Sequence, residues 1–131
     1  MMCLCVVQRA FIEKDKDTLY IVELTRSKWE ALLPDGSRAV IDKNDFSFNH
    51  DGQKVVPDFA YITIHGTPGE NGILQGYFEL IGIPYSTCDV LVSAMTFSKF
   101  TLNQYLKGFG VRVAESMLIN RRHEVSDETI V

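Results

Sequence analysis

The stretch Phe59-Ala-Tyr-Ile-Thr-Ile64 runs directly into His65-Gly66-Thr67-Pro68-Gly69-Glu70-Asn71-Gly72. Its β-branched and aromatic residues favour a strand, and Gly66 breaks it sharply. Beyond the glycines, Ile73, Leu74, Tyr77, Phe78 and Ile81 recur at helical spacing, with Gly82 where a helix C-cap glycine belongs. The predicted order is strand, glycine loop, helix. In open α/β sheets ligands collect at such places, because the first N–H groups of the helix have no internal partner and favour an anion. Glycines at 66, 69 and 72 let backbone approach a ligand, and His65 at the strand end can donate to it or accept from it. As a bare pattern, such a turn serves plain chain reversal more often than binding.

The rest of the chain alternates element types without repeats. Val6, Val7, Ala10 and Phe11 form a helical stripe within Cys3–Glu13, closed by the polar Lys14-Asp15-Lys16-Asp17, so the chain is expected to open on a helix. Leu19–Leu24 is short and β-rich, the pattern of a buried strand. Pro34-Asp35-Gly36-Ser37 sits between Trp29–Leu33 and Arg38–Ile41, and its proline and glycine preset the φ values of a hairpin turn. Asp42–Pro57 is polar and reads as a loop anchored by Phe46 and Phe48. Ile83-Pro84-Tyr85 is a short extended segment. Asp89 can cap a helix over Val90–Met95, and Ser98 a second over Lys99–Lys107 that ends at Gly108 or Gly110. Val111–Ile119 reads as another strand, and Ser126-Asp127-Glu128 as the first turn of one more helix. Trp29, Tyr77 and Phe78 read as core or interface aromatics, and Cys88 as a small buried apolar side chain.

Several function classes are disfavoured by composition. The 131 residues are 46% apolar and 23% charged, ordinary for a soluble domain, and the formal charge is −4 with scattered basic residues. No stripe of positive charge marks a nucleic-acid partner. The longest apolar run, Met1–Val7, is far short of the ~20 residues of a membrane span and lacks the features of a signal peptide. Cys3, Cys5 and Cys88 make no even disulfide set, and no Cys or His cluster has zinc spacing. A reducing cytoplasm fits best.

Three pieces carry a resemblance. They are His65-Gly-Thr-Pro-Gly-Glu-Asn-Gly-Ile-Leu-Gln-Gly76, then Glu79-Leu-Ile-Gly-Ile-Pro-Tyr85, then Ser93-Ala-Met-Thr-Phe-Ser-Lys99. In order and spacing the chain resembles the amino-terminal part of the D-alanine–D-alanine ligases, a family of the ATP-grasp group, over roughly Phe11–Val131. The resemblance implies an ATP-dependent ligation of two D-alanines to D-alanyl-D-alanine for peptidoglycan precursors, with Mg2+ required. It implies that His65, Gly66 and Glu70 help form the D-alanine site and that Lys99 contacts nucleotide phosphates. A lysine is a mobile point charge suited to phosphate, and a histidine can hydrogen-bond a small zwitterion near neutral pH. Read from the residues alone, Glu70 serves equally well to satisfy the following helix N-terminus, and Lys99 can be an ordinary solvated lysine. Oligomeric state stays open in the residues, although the family commonly forms homodimers through this end.

The expected fold is α/β: a three-layer Rossmann-like (pre-ATP-grasp) domain over 1–93, its mainly parallel sheet built from Leu19–Leu24, Phe59–Ile64 and Ile83–Tyr85. Residues 94–131 are expected to be a connector and the start of an ATP-grasp domain. The family's first strand and its Ser-Glu-His glycine loop have no counterpart before Cys3, and most of the ATP-grasp machinery, with its magnesium carboxylates, has none after Val131. The chain alone is therefore expected to be an inactive piece. The competing reading is a non-catalytic α/β module, or a gene remnant, that keeps the glycine loop without the reaction.

Overall fold

A computed structural model describes residues 5–13, 16–24 and 27–119. The chain divides into two compact units, Met1–Ala94 and Met95–Val131. Among the described residues no helix is long and apolar enough to cross a membrane.

The first unit is built on a sheet of β1 (Cys5–Glu13), β2 (Lys16–Leu24), β3 (Trp29–Leu32), β4 (Arg38–Val40) and β7 (Tyr61–Ile62), in the order β4-β3-β2-β1-β7. A separate two-stranded ribbon pairs β5 (Phe48–His50) with β6 (Gln53–Val55). Cys5–Glu13 is a strand, not a helix, in antiparallel register with β2 from Cys5 opposite Leu24 to Glu13 opposite Lys16. The run Cys-Val-Val-Gln-Arg-Ala-Phe-Ile-Glu is rich in β-branched and aromatic residues, and a continuous ladder satisfies its backbone.

The sheet is also antiparallel at every named strand pair, not mainly parallel. Connection length decides this, because parallel neighbours need a crossover of about a dozen residues, whereas β1 to β2 and β2 to β3 are joined by a few. The burial pattern agrees. Tyr20, Val22 and Leu24 alternate inward along β2 while Leu19 faces out, the signature of a sheet with one solvated face. Val22 and Ala31, opposite one another in register, are both fully buried.

Parallel pairing appears where the chain does make a crossover. Ala60 bridges Tyr85 in parallel after the glycine loop and α1 (Ile73–Ile81). Its N–H donates to the Pro84 carbonyl at 2.8 Å, and the Ser86 N–H donates to the Ala60 carbonyl at 3.0 Å. The expected strand Phe59–Ile64 is shorter than its composition suggested, with Tyr61 and Ile62 alone forming β7.

Turn chemistry acts as expected in the β3–β4 hairpin. Gly36, at φ 84°, donates its N–H to the Leu33 carbonyl, and Asp35 accepts from Ser37. The loop expected over Asp42–Pro57 instead contains the β5–β6 ribbon, turned at Asp51 and Gly52 with positive φ at both. Phe46 and Phe48 anchor this region as expected and are buried. Phe46 holds a left-handed φ of 62° while packing edge-on to Trp29 and Phe78. Ile62 and Ile64 of the β7 segment join Leu74 and Phe78 of α1 and Ile83 beyond it in the same core.

α1 ends at Gly82, left-handed at φ 73°, whose N–H reaches the Glu79 carbonyl. α2 (Val90–Phe97) starts where Asp89 accepts from the Val92 N–H at 2.8 Å. Cys88, just before it, is exposed rather than buried, its sulfur 3.4 Å from the Ser93 hydroxyl.

In the second unit α3 (Lys99–Gly108) is capped by Ser98, which accepts from the Thr101 N–H. Val111–Ile119 forms no strand: a strand needs a ladder partner, and among the described residues none pairs with it. Val111, Met117, Leu118 and Ile119 stand exposed. The helix turn expected at Ser126-Asp127-Glu128 lies outside the described residues.

Candidate functional site: the His65–Gly72 loop

The loop closes on itself through its own backbone and one carboxylate. The Glu70 N–H donates to the Gly66 carbonyl at 2.9 Å. In return the Gly66 N–H donates to Oε2 of Glu70 at 2.6 Å. The other carboxylate oxygen, Oε1, lies 3.4 Å from Nδ1 of His65, whose side chain is almost wholly exposed. His65, Gly66 and Glu70 are thus brought together, with the histidine ring exposed and the Glu70 side chain half-buried. The Glu70 carboxylate is engaged by Gly66, inside the loop. The first N–H of α1, that of Ile73, is instead met by the Asn71 side chain at 3.3 Å.

Three glycines make this shape possible, two of them by steric necessity. Gly66 adopts φ 76°, in the left-handed region. A Cβ on Gly69 would fall 2.3 Å from Cβ of Ile64, and a Cβ on Gly72 would fall 2.9 Å from the Val90 carbonyl oxygen. The loop therefore packs closely against Ile64, just past β7, and against the start of α2.

Sequence reasoning missed the loop's internal braces. Nδ2 of Asn71 donates to the Thr67 hydroxyl at 3.0 Å. Nε2 of Gln75, a fully buried side chain, donates to the Gly69 carbonyl at 2.6 Å and to the Thr87 hydroxyl at 2.9 Å. The available signal was a glutamine at a position next to the apolar stripe of α1.

Further along, Tyr85 donates its hydroxyl to Glu79 at 2.6 Å. Burial, and then the neighbouring carboxylate, push its pKa up to about 12, so the phenol stays protonated at neutral pH. Lys99 belongs to the second unit, exposed in the first turn of α3, where the helix dipole slightly disfavours a cation. Among the described residues no group of three or more His, Cys, Asp or Glu side chains converges to hold a metal ion.

No family model matches the chain. A D-alanine–D-alanine ligase of Phocaeicola vulgatus is 65% identical over 122 residues, which are 93% of this chain and 38% of that protein. One of Bacteroides thetaiotaomicron is 59% identical over the same coverage. Among solved structures, D-alanine–D-alanine ligase of Aeromonas hydrophila superposes with a TM-score of 0.66 at 26% identity, covering 83% of this chain and 40% of that one. D-alanyl-alanine synthetase A of Vibrio cholerae gives 0.57 at 33% identity, covering 69% of this chain and 26% of that one. The chain thus spans well under half the length of the curated relatives it matches.

Proposed function

Because the chain belongs to the D-alanine–D-alanine ligase family, we propose that it supplies part of the amino-acid pocket and one phosphate contact of an ATP-dependent ligase joining two D-alanines. The dipeptide would enter peptidoglycan precursors, and the enzyme would work in the cytoplasm as a homodimer. The observation that carries this reading is the closed loop in which Glu70 turns back onto Gly66 and sets its carboxylate beside an exposed His65.

The chemistry asked of each residue follows from this arrangement. D-alanine is a small zwitterion, and a pocket for it needs one group for the ammonium and one for the carboxylate. The Glu70 carboxylate, held by the Gly66 N–H, stays in place to face the ammonium side of the pocket without drifting toward solvent. His65 can donate to the substrate carboxylate from its exposed ring. Lys99, on a mobile stem, neutralises phosphate charge.

ATP supplies the phosphoryl group that activates one D-alanine carboxylate for attack by the amine of the other. Magnesium needs carboxylate ligands that do not converge among the described residues, so no step through the metal is assigned to this chain. In the same reading, the parallel bridge of Ala60 to Tyr85 belongs to the Rossmann-like part of the larger sheet.

The test is a chimera in which this chain's residues replace the matching stretch of the Phocaeicola vulgatus ligase. It should form D-alanyl-D-alanine and release phosphate from ATP. A folded chimera that does neither overturns the proposal.

A further inference from the structure

We infer that Gln75 is a positioning residue: its buried amide fixes the peptide that carries Glu70, and so sets the Glu70 carboxylate against Gly66 and His65. The inference rests on the proposed pocket for its functional meaning, although its geometry stands by itself.

The peptide plane between Gly69 and Glu70 is pinned at both ends. Its carbonyl oxygen, on Gly69, accepts from Nε2 of Gln75 at 2.6 Å. Its N–H, on Glu70, donates to the Gly66 carbonyl at 2.9 Å. With both ends held, the direction of the Glu70 side chain is set, and its carboxylate returns to the Gly66 N–H at 2.6 Å. The Gln75 amide is itself held, because its second Nε2 proton goes to the Thr87 hydroxyl at 2.9 Å. Thr87 follows Ser86, which is bound to the sheet through the Ala60 carbonyl. The loop is thereby referred to the sheet through Gln75, not merely to the helix that follows it.

The residue type is informative. Gln75 is fully buried between Leu74 and Phe78 in sequence, and its Oε1 has no hydrogen-bond partner among the described residues. A half-satisfied buried amide costs free energy that an apolar side chain of similar volume would avoid. Its gain lies in its two N–H donors, one holding the loop at Gly69 and the other anchoring the amide at Thr87.

The test uses the 131-residue chain and no substrate. In the parent, the Gly66 amide resonance should shift when acid protonates the Glu70 carboxylate, since the Gly66 N–H donates to that carboxylate. Gln75→Met preserves volume and removes both donors. The amplitude of the Gly66 titration should then fall by about half or more, as a loosened carboxylate visits that N–H less often, while the amides of Leu74 and Phe78 keep their shifts. Full amplitude in a folded Gln75→Met chain overturns the inference.

If Gln75→Met does not fold, Thr87→Val removes only the outer acceptor, and it should give a smaller loss of the same titration. An unchanged Gly66 titration there overturns the inference equally. Since neither D-alanine nor ATP is used, an inactive chimera would refute the proposed function and leave this result standing. A flat response to the Gln75 and Thr87 variants would do the reverse.

Discussion

Gly69→Ala isolates the steric demand of the loop from backbone strain, because the Gly69 φ lies outside the left-handed region that penalises other residues. The added Cβ would stand 2.3 Å from Cβ of Ile64, and 2.6 Å from both its Cγ2 and its carbonyl oxygen. Two of these atoms lie at or next to the backbone of a buried residue, so no flexible tip can swing aside. Relief requires the loop and the strand end to part by about 1 Å. Forced overpacking of this kind costs about 3 kcal/mol, at the upper end of the usual range. That is about a hundredfold in the folding equilibrium, and for a chain of this size about 10 °C in melting temperature. Gly76→Ala is the matched control: its nearest neighbour would be Cγ2 of Val90 at an ordinary 3.8 Å. Relief from glycine inside α1 should stabilise it by about 0.5–1 kcal/mol. Thermal melts followed by circular dichroism read both. A Gly69→Ala melt within about 2 °C of the parent, less than 1 kcal/mol on the same scale, would refute the reasoning.

Asp89→Ala should cost about 1 kcal/mol, since it removes the acceptor of the Val92 N–H at the start of α2; a denaturant midpoint equal to the parent's would contradict that capping role. Lys54 and Ser47 hydrogen-bond Asp45 and hold its carboxyl well below the usual carboxylate range. A lowered folded pKa contributes stability that is present above the unfolded value, near about 3.9, and lost as pH falls through the folded one. The β5–β6 ribbon should therefore loosen in acid. Lys54→Met should flatten that part of an acid titration followed by the Phe48 and Val55 amides, and an unaltered acid profile would count against it.

Local punctuation was the legible part of this fold. Gly36, Gly82, Asp89 and Ser98 each stand at the turn or cap their chemistry predicts, because those rules act over four or five residues. The β5–β6 ribbon carried an Asp51-Gly52 turn signal, but Asn49, His50, Gln53 and Lys54 around it hid the alternation of a strand. Strand direction failed for a different reason. Leu19–Leu24 looks buried on both faces in sequence, and only its pairing partners reveal a one-faced antiparallel strand. Val111–Ile119 has strand composition without a ladder partner among the described residues, and propensity cannot supply one. At the site, the glycine loop with His65, Gly66 and Glu70 was visible as a motif. Gln75 was not, because its place beside the apolar stripe of α1 is a weak signal that a solvated glutamine at the edge of the stripe would also give.

The split between His65 and Lys99 in the chimera tests the account most directly. Losing a hydrogen bond to a charged group costs about 1.5–3 kcal/mol, so each substitution should weaken use of its own substrate by about tenfold to a hundredfold. His65→Ala should raise the KM for D-alanine and leave that for ATP near the parent value, whereas Lys99→Ala should do the opposite. Both variants keeping the parent kinetics for both substrates would contradict the roles assigned to the loop and the lysine.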